Sequence, residues 1–319
     1  MADSSSGKVA ERRRHSGLVE FLIRLVKEKP LGTVGGVITL LLLLTGIFAD
    51  FLAPYGVNEL HTADFLAAPS ARFWLGTDHL GRDLLSRVIF GARISVIVGL
   101  SATALATIIS TVIGILCGYI GGKFDLVVQR FVDAVMCLPQ LIFLIVAMSL
   151  LGPGIWQIIL VMGILWGIGG SRTTRGLVLS IKENVYIEAA VAIGCPTHRI
   201  LTRHILPNIM APIIIGFSLA VPGVILTEAA LSFLGFGIPP PTPSWGSMLS
   251  GSTRTYMFKS QWPIIWPGLA LATVVYGINM FGDAVRDILD PRLRGGVGRY
   301  GVRGKKEAAK KVSPALQKG

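Results

Sequence analysis

The residue types that could carry chemistry are few, and their spacing does not suit it. Five histidines occur in 319 residues, and no H-E-x-x-H sets two of them on one helix face to hold zinc. No G-x-S-x-G presents a nucleophile. Gly304-Lys305 is followed by Lys306, with Arg299 where a phosphate-cradling loop needs its first glycine, so the chain has no P-loop for ATP. Gly296, Gly298 and Gly301 form a formal G-x-G-x-x-G, but no strand leads into it and no apolar helix follows. Cys117, Cys137 and Cys195 show no ligand spacing and read as small buried apolar residues. The expectation is a chain without catalytic residues, bound metal or bound cofactor. Two features remain. One is a lone carboxylate, Glu228, deep in an apolar run. The other is the part-polar stretch YIEAAVAIGCPTHRILTRHILPN, residues 186–208, set between two apolar runs.

The elements that must position them are set by composition. The chain is 52% hydrophobic and 15% charged, with a mean hydropathy of +0.65. About a quarter of a soluble domain is charged, so these charges are too few to coat a soluble surface. Several windows of about 20 residues are nearly free of charge, the length that crosses a ~30 Å hydrocarbon core. The ~10-residue alternation of a membrane β-barrel is absent. The fold class is therefore all-α, a polytopic membrane protein with six transmembrane helices, expected at 31–53, 89–119, 126–151, 155–179, 206–236 and 264–288.

With the N-terminus in the cytoplasm, twenty-four of the 30 Lys and Arg fall on inside segments. The other six, Arg72, Arg82, Arg87, Arg93, Arg254 and Lys259, fall outside. That excess predicts N-in and C-in. The organisation follows: a basic cytoplasmic N-tail at 1–30, a first span at 31–53, an extracytoplasmic segment at 54–88, a five-helix core at 89–288 with a cytoplasmic loop at 182–207, and a basic C-tail at 289–319. The net charge of +12 reads as topology plus attraction to anionic lipid. No basic run is interleaved with aromatic residues, so no nucleic-acid partner is expected. Small-residue pairs, Gly32/Gly36, Gly114/Gly118 and Gly163/Gly167, allow helices to approach closely. Packing within the subunit is the favoured use, and packing against a partner subunit is the other.

The stretch at 186–208 reads as a helix from 184 to 193, a stop at Gly194-Cys195-Pro196, a second short helix from 197 to 204, and a break at Leu206-Pro207-Asn208. A helix lying on the membrane interface needs bulky apolar residues on one face and Lys or Arg on the other. Residues 184–194 contain no Trp, Phe, Leu, Lys or Arg. With Ala189, Ala190 and Gly194 exposing little side chain, the surface suits a groove on another protein, and Glu188 can offer a charge-assisted bond at its edge.

Glu188-Ala189-Ala190, then Gly194, then Leu206-Pro207 resembles the EAA loop of ABC importer permeases, although His204 stands where an apolar residue is usual. A second Glu-Ala-Ala at 228–230 lies inside an apolar run, with its next glycine one position too far. LGTDHLGRDLLSRVIFGARIS (75–95), LSFLGFGIPPPTPSWGSML (231–249) and DPRLR (290–294) are similar to the C-type permease subunit of dipeptide, oligopeptide and nickel importers. The resemblance covers roughly residues 30–294. It implies the type I ABC importer permease fold in the bacterial cytoplasmic (inner) membrane. It also implies a second homologous permease subunit, two cytoplasmic ABC ATPase subunits that bind ATP and Mg, and an extracytoplasmic solute-binding protein. Alternating access would then be driven from outside this chain, with the loop docked on one ATPase. Peptides are the expected solute, with nickel, glutathione or another small solute as alternatives.

The flanking stretches also have local readings. Asp78/Arg82 and Asp83/Arg87 are i, i+4 pairs, which predicts a surface helix over 78–88. Prolines 239–241 read as a stiff connector in preference to a peptide-binding site, with Trp245 an interface anchor. Asp125, Arg130 and Asp133 predict a local ion network. Glu228 and Pro222, which loosens its helix, are the residues expected to shape the translocation path; for Glu228 a structural hydrogen bond to Thr227 or Ser232 is an equal reading. A self-sufficient secondary carrier is the rival reading. It needs coupling-ion groups at mid-membrane, for which Glu228 is the lone candidate.

Overall fold

In hydrocarbon each backbone N–H and C=O must be satisfied within its own segment, so apolar runs of this length fold as helices. The computed structural model describes residues 17–256 and 258–289, and among these no strand occurs. The elements are α1 Gly17–Glu28, α2 Pro30–Ile47, α3 Ala49–Leu52, α4 Leu84–Ile120, α5 Gly122–Met136, α6 Gln140–Leu151, α7 Ile155–Lys182, α8 Val185–Ala192, α9 Thr197–Ile200, a π-helical turn at Leu201–Ile205, α10 Leu206–Phe233, α11 Trp245–Met248, α12 Ser252–Thr255 and α13 Trp262–Leu289. Among the described residues five helices are long and apolar enough to cross a membrane: 30–47, 84–120, 155–182, 197–233 and 262–289. The tails at 1–16 and 290–319, with DPRLR and the glycines at 296–304, lie outside the described residues.

The third expected span, 126–151, needs correction. It is not one straight helix but α5 and α6, bent by 88°. Pro139 takes ψ 114°, has no N–H to continue the ladder, and pushes Leu138 away from helical geometry. Cys137, expected to be buried, is exposed at this elbow.

Glycine contacts decide the packing. A Cβ added at Gly163 would meet Leu105, at Gly167 Ile109, at Gly114 Thr174, and at Gly118 Val178. Along this seam the residue numbers of α4 and α7 rise together, so the two helices run parallel with their backbones in close approach. The end of α4 and the start of α7 therefore lie at opposite ends of the pair. Residues 121–154 must travel its length, and the bent pair serves as the sixth crossing. Gly32 packs on Ala284 and Gly36 on Phe281, fixing α2 antiparallel to α13. All three small-residue pairs are thus used within the subunit.

Residues 17–28, read with the N-tail, form helix α1, and its Leu25 is buried with Ala284 and Ile288 of α13. The surface helix expected over 78–88 also needs correction. Residues 78–83 form a turn, and α4 begins at Leu84, where Asp83 caps it by accepting from the Ser86 N–H at 2.7 Å. Asp78 does pair with Arg82, Nε to Oδ2 at 2.7 Å. Arg87 turns to Asp78 at 3.6 Å rather than to Asp83, whose Oδ2 holds the cap and the Ser86 hydroxyl. Trp245 is not an interface anchor: it is buried, donates from Nε1 to the Val88 carbonyl at 3.0 Å, and presses its ring on Gly91.

The α4–α7 seam yields a first test. Gly118→Leu must drive a branched side chain into Val178, and overpacking of this kind costs roughly 1–3 kcal/mol. Thermal unfolding of the detergent-solubilised protein is expected to shift down for Gly118→Leu. It should hold for Gly176→Leu on α7, where a Cβ meets nothing within 4 Å.

Candidate functional site

The stretch at 186–208 stands at one end of the bundle, where α4 finishes and α7 runs out. Lys182 near the end of α7 donates from Nζ to the Tyr119 carbonyl of α4 at 2.7 Å. Asn184 donates from Nδ2 to the Ile181 carbonyl at 2.8 Å, closing α7 before α8 begins. Helix α8 stops where expected. The Cys195 N–H donates back to the Ala190 carbonyl at 3.0 Å and the Gly194 N–H to the Val191 carbonyl at 2.9 Å. These are the two bonds of a Schellman cap, whose left-handed residue is Gly194 at φ +76°.

The break expected at Leu206-Pro207-Asn208 is not there. The helical chain runs without interruption from Thr197 to Phe233. The π-helical turn accounts for this: the Leu206 N–H reaches back five residues to the Leu201 carbonyl. Pro207 then falls in the first turn of α10, where its missing N–H is tolerated. Asn208 donates from Nδ2 to the His204 carbonyl at 2.6 Å, and also to the Tyr186 hydroxyl of α8 at 3.2 Å.

Below α8 lies a sealed apolar cluster. Ile187 of α8, Ile200 of α9, Ile205 of the π turn, Ile209 of α10 and Val178 of α7 are all buried together. Ala190 also faces inward, which corrects its expected place on the outer surface. Glu188, Ala189 and Gly194 are exposed, Leu206 is partly covered and Pro207 is exposed. Beside them Val185 is 80% exposed and Ile193 84% exposed, with Val191 also open. At the same end Asp125 of α5 accepts two hydrogen bonds from Arg175 of α7, at 2.6 and 2.5 Å. Asp133 meets Arg172 at 3.3 Å and Arg130 at 3.6 Å, so the expected ion network reaches across to α7.

Pro222 is buried in a continuous α10. Glu228 is 1% exposed and accepts from the Ser232 hydroxyl at 2.7 Å. Thr227 turns away and donates to the Gly223 carbonyl. Between α4, α7 and α10 lies a groove of about 260 Å³ lined by Thr103, Thr107, Ser110, Thr173 and Thr174 with Gly216. Pro212 of α10 also borders this groove.

Residues 110–295 match the family model described as binding-protein-dependent transport system inner membrane component. The chain belongs to this family. The match begins within α4 and takes in α8 and both proline-containing spans. Among relatives, the chain is 38% identical over 269 residues to the dipeptide transport system permease protein DppC of Alkalihalophilus pseudofirmus, covering 84% of this chain and 88% of that one. It is 37% identical over 268 residues to the oligopeptide transport system permease protein OppC of Bacillus subtilis, at 84% and 88% coverage. The glutathione transport system permease protein GsiD of Pectobacterium atrosepticum is 35% identical over 276 residues, at 86% and 91%. The protein is a multi-pass inner-membrane permease subunit of a binding-protein-dependent importer.

Within this permease the structure brings Glu188, Ala189 and Gly194 together on one face and sends Ala190 to the other. Sequence reading missed Val185, Val191 and Ile193, the apolar part of the exposed face. Their signal was the absence of charge around Glu188. It also missed the hydroxyl groove, although Thr103, Thr107 and Ser110 recur at the spacing of one helix face.

The Schellman turn gives a second test. Valine is a poor fit for φ +76°, at a cost of roughly 1–2 kcal/mol, whereas asparagine visits this region readily. Amide exchange over 185–195 is expected to quicken about 5–30-fold in Gly194→Val and to stay near wild type in Gly194→Asn.

Proposed function

We propose that the chain forms half of the translocation pore of an ATP-driven peptide importer, and that α8 is its mechanical input. The observation that carries this reading is the two-sided character of α8. Its outer face offers Val185, Glu188, Ala189 and Ile193 around a fixed turn, apolar contact with one charge, which fits a cleft on another protein. Its inner face is locked by Ile187 into α7, α9 and α10. A partner that moves α8 therefore moves three helices.

In this reading the α8 end faces the cytoplasm, both termini lie inside, and each of two ATPase subunits binds its own ATP and Mg. One ATPase docks on α8, and this chain binds no nucleotide. A second, homologous permease completes the pore, and an extracytoplasmic binding protein delivers solute to the opposite end. The hydroxyl groove between α4, α7 and α10 faces the passage. Pro222 and Glu228 shape that passage by bracing α10 from behind. Peptides are favoured as solute by the names of the DppC and OppC relatives, and the GsiD relative supports glutathione as the second reading. A secondary carrier is disfavoured because the relatives are named as permeases of peptide and glutathione transport systems and the matching family is binding-protein-dependent.

The test is uptake by vesicles carrying the co-expressed subunits. Glu188→Lys with Gly194→Trp is expected to accumulate normally yet lose association with the ATPase. Uptake of a labelled dipeptide should fall about tenfold or more, the equivalent of ~1.4 kcal/mol of docking free energy. Labelled dipeptide and glutathione run in parallel separate the two solute readings. Normal uptake by the variant overturns the role of α8.

A further inference from the structure

At the end of the bundle opposite α8, a cavity of about 470 Å³ opens between the turn at 78–83, the start of α4 and the proline-rich connector. That volume suits a small ligand. Its walls are stiff, with Pro239 and Pro240 on one side, and its polar lining includes Asp78, Arg82, Arg87 and Thr242.

The charges on this lining do not balance. Asp78 is the one carboxylate among the lining residues, and three hydrogen bonds already reach it. Its Oδ1 accepts from the backbone N–H groups of Leu80 and Arg82 at 2.8 and 3.0 Å, and its Oδ2 accepts from Arg82 Nε at 2.7 Å. Arg87 is left with a longer approach to the same Oδ2, 3.6 Å from its Nε, and with one bond from Nη1 to the Val57 carbonyl at 3.3 Å. Its side chain is only 8% exposed. The Asp83 carboxylate is turned to Ser86 and does not line the cavity. His79 does line it, but burial holds its imidazole below the ordinary range, so it adds no second anion-attracting charge at neutral pH. Two guanidinium groups thus share the one carboxylate on the lining, and Arg82 holds the closer place on it. A buried cation left without a full partner is costly, and a planar fork of donors facing a cavity matches a carboxylate.

We propose that this cavity binds the carboxylate of a small solute through Arg87, with Thr242 on the facing wall. On the peptide reading above, from which the source is taken, it receives the free C-terminal carboxylate of a short peptide at the mouth of the pore. The carboxylate chemistry itself stands on Arg87 and does not need that reading.

The test uses the intact transporter complex in nanodiscs without binding protein. Leu80, exposed at the cavity rim, is replaced by cysteine in a chain whose three native cysteines are serine. The rate of maleimide labelling is followed with alanyl-alanine, its C-terminal amide or sodium acetate present. Alanyl-alanine and acetate are expected to slow labelling and the amide to have no effect. Arg87→Gln should raise the protecting concentration about tenfold or more. The amide comparison needs no change at Arg87, so it decides the matter even if that variant fails to accumulate. Equal protection by the amide, or none by any probe, overturns the site; if the complete transporter, reconstituted in vesicles with binding protein, still takes up labelled dipeptide, the proposed function survives. Protection by acetate alone supports the carboxylate site and overturns the peptide source. Protection that appears only when binding protein is added assigns the carboxylate to an acidic side chain of that protein and overturns a solute site.

Discussion

The seam between α4 and α7 is the constraint on which the other helices depend. Four glycines, two on each helix, let the backbones touch along a parallel pair. Lipid offers no hydrophobic drive between helices, so such close van der Waals contact is what holds them together. Because the pair is parallel, the chain between must return across the bundle, which is the crossing that α5 and α6 make. Because α4 and α7 finish at the same end, the base for α8 is built there, from Val178, Tyr119 and the isoleucines of α9, the π turn and α10.

The opposite end is organised by different means. There the chain leaves the helices for long stretches, and polar contacts replace glycine seams. Asp78 ties the turn at 78–83 to Arg82 and Arg87, Asp83 starts α4, and Trp245 pins the connector to the first turns of α4. Glu228 and Ser232 bind the end of α10 to the same connector, since the Ser232 hydroxyl also receives the Ile238 N–H at 3.4 Å. One end of the permease is thus built on a buried isoleucine cluster flanked by ion pairs, and the other on a polar lattice. That division suits a device driven from one side and loaded from the other.

Much of this was legible in the sequence. The long spans showed as uncharged runs, because length and apolarity alone decide them. The stop of α8 showed in Gly194-Cys195-Pro196, because only a few residues fit a left-handed cap. Other features were obscured by competing signals. Leu138-Pro139 carried the elbow, but the unbroken apolar run around it reads as a single span. Asp78 and Arg82 keep their pairing in a turn as well as in a helix, so spacing alone gave the right contact and the wrong element. Pro207 signals a break, yet one π turn accommodates it. What separation in sequence conceals altogether is tertiary: that Arg87 turns to Asp78 and that Trp245 reaches Val88 could not be read from local pattern.

The central claim is that α8 is welded to the bundle through Ile187, so that motion imposed on it passes into α7 and α10. The direct measurement is the ratio of solute taken up to ATP hydrolysed by the complete transporter carrying Ile187→Ala with Ile200→Ala. The claim predicts that the ATPases still bind and hydrolyse while uptake per ATP falls steeply, because the input then turns on a loosened joint. An unchanged ratio, with uptake and hydrolysis rising or falling together, would contradict it.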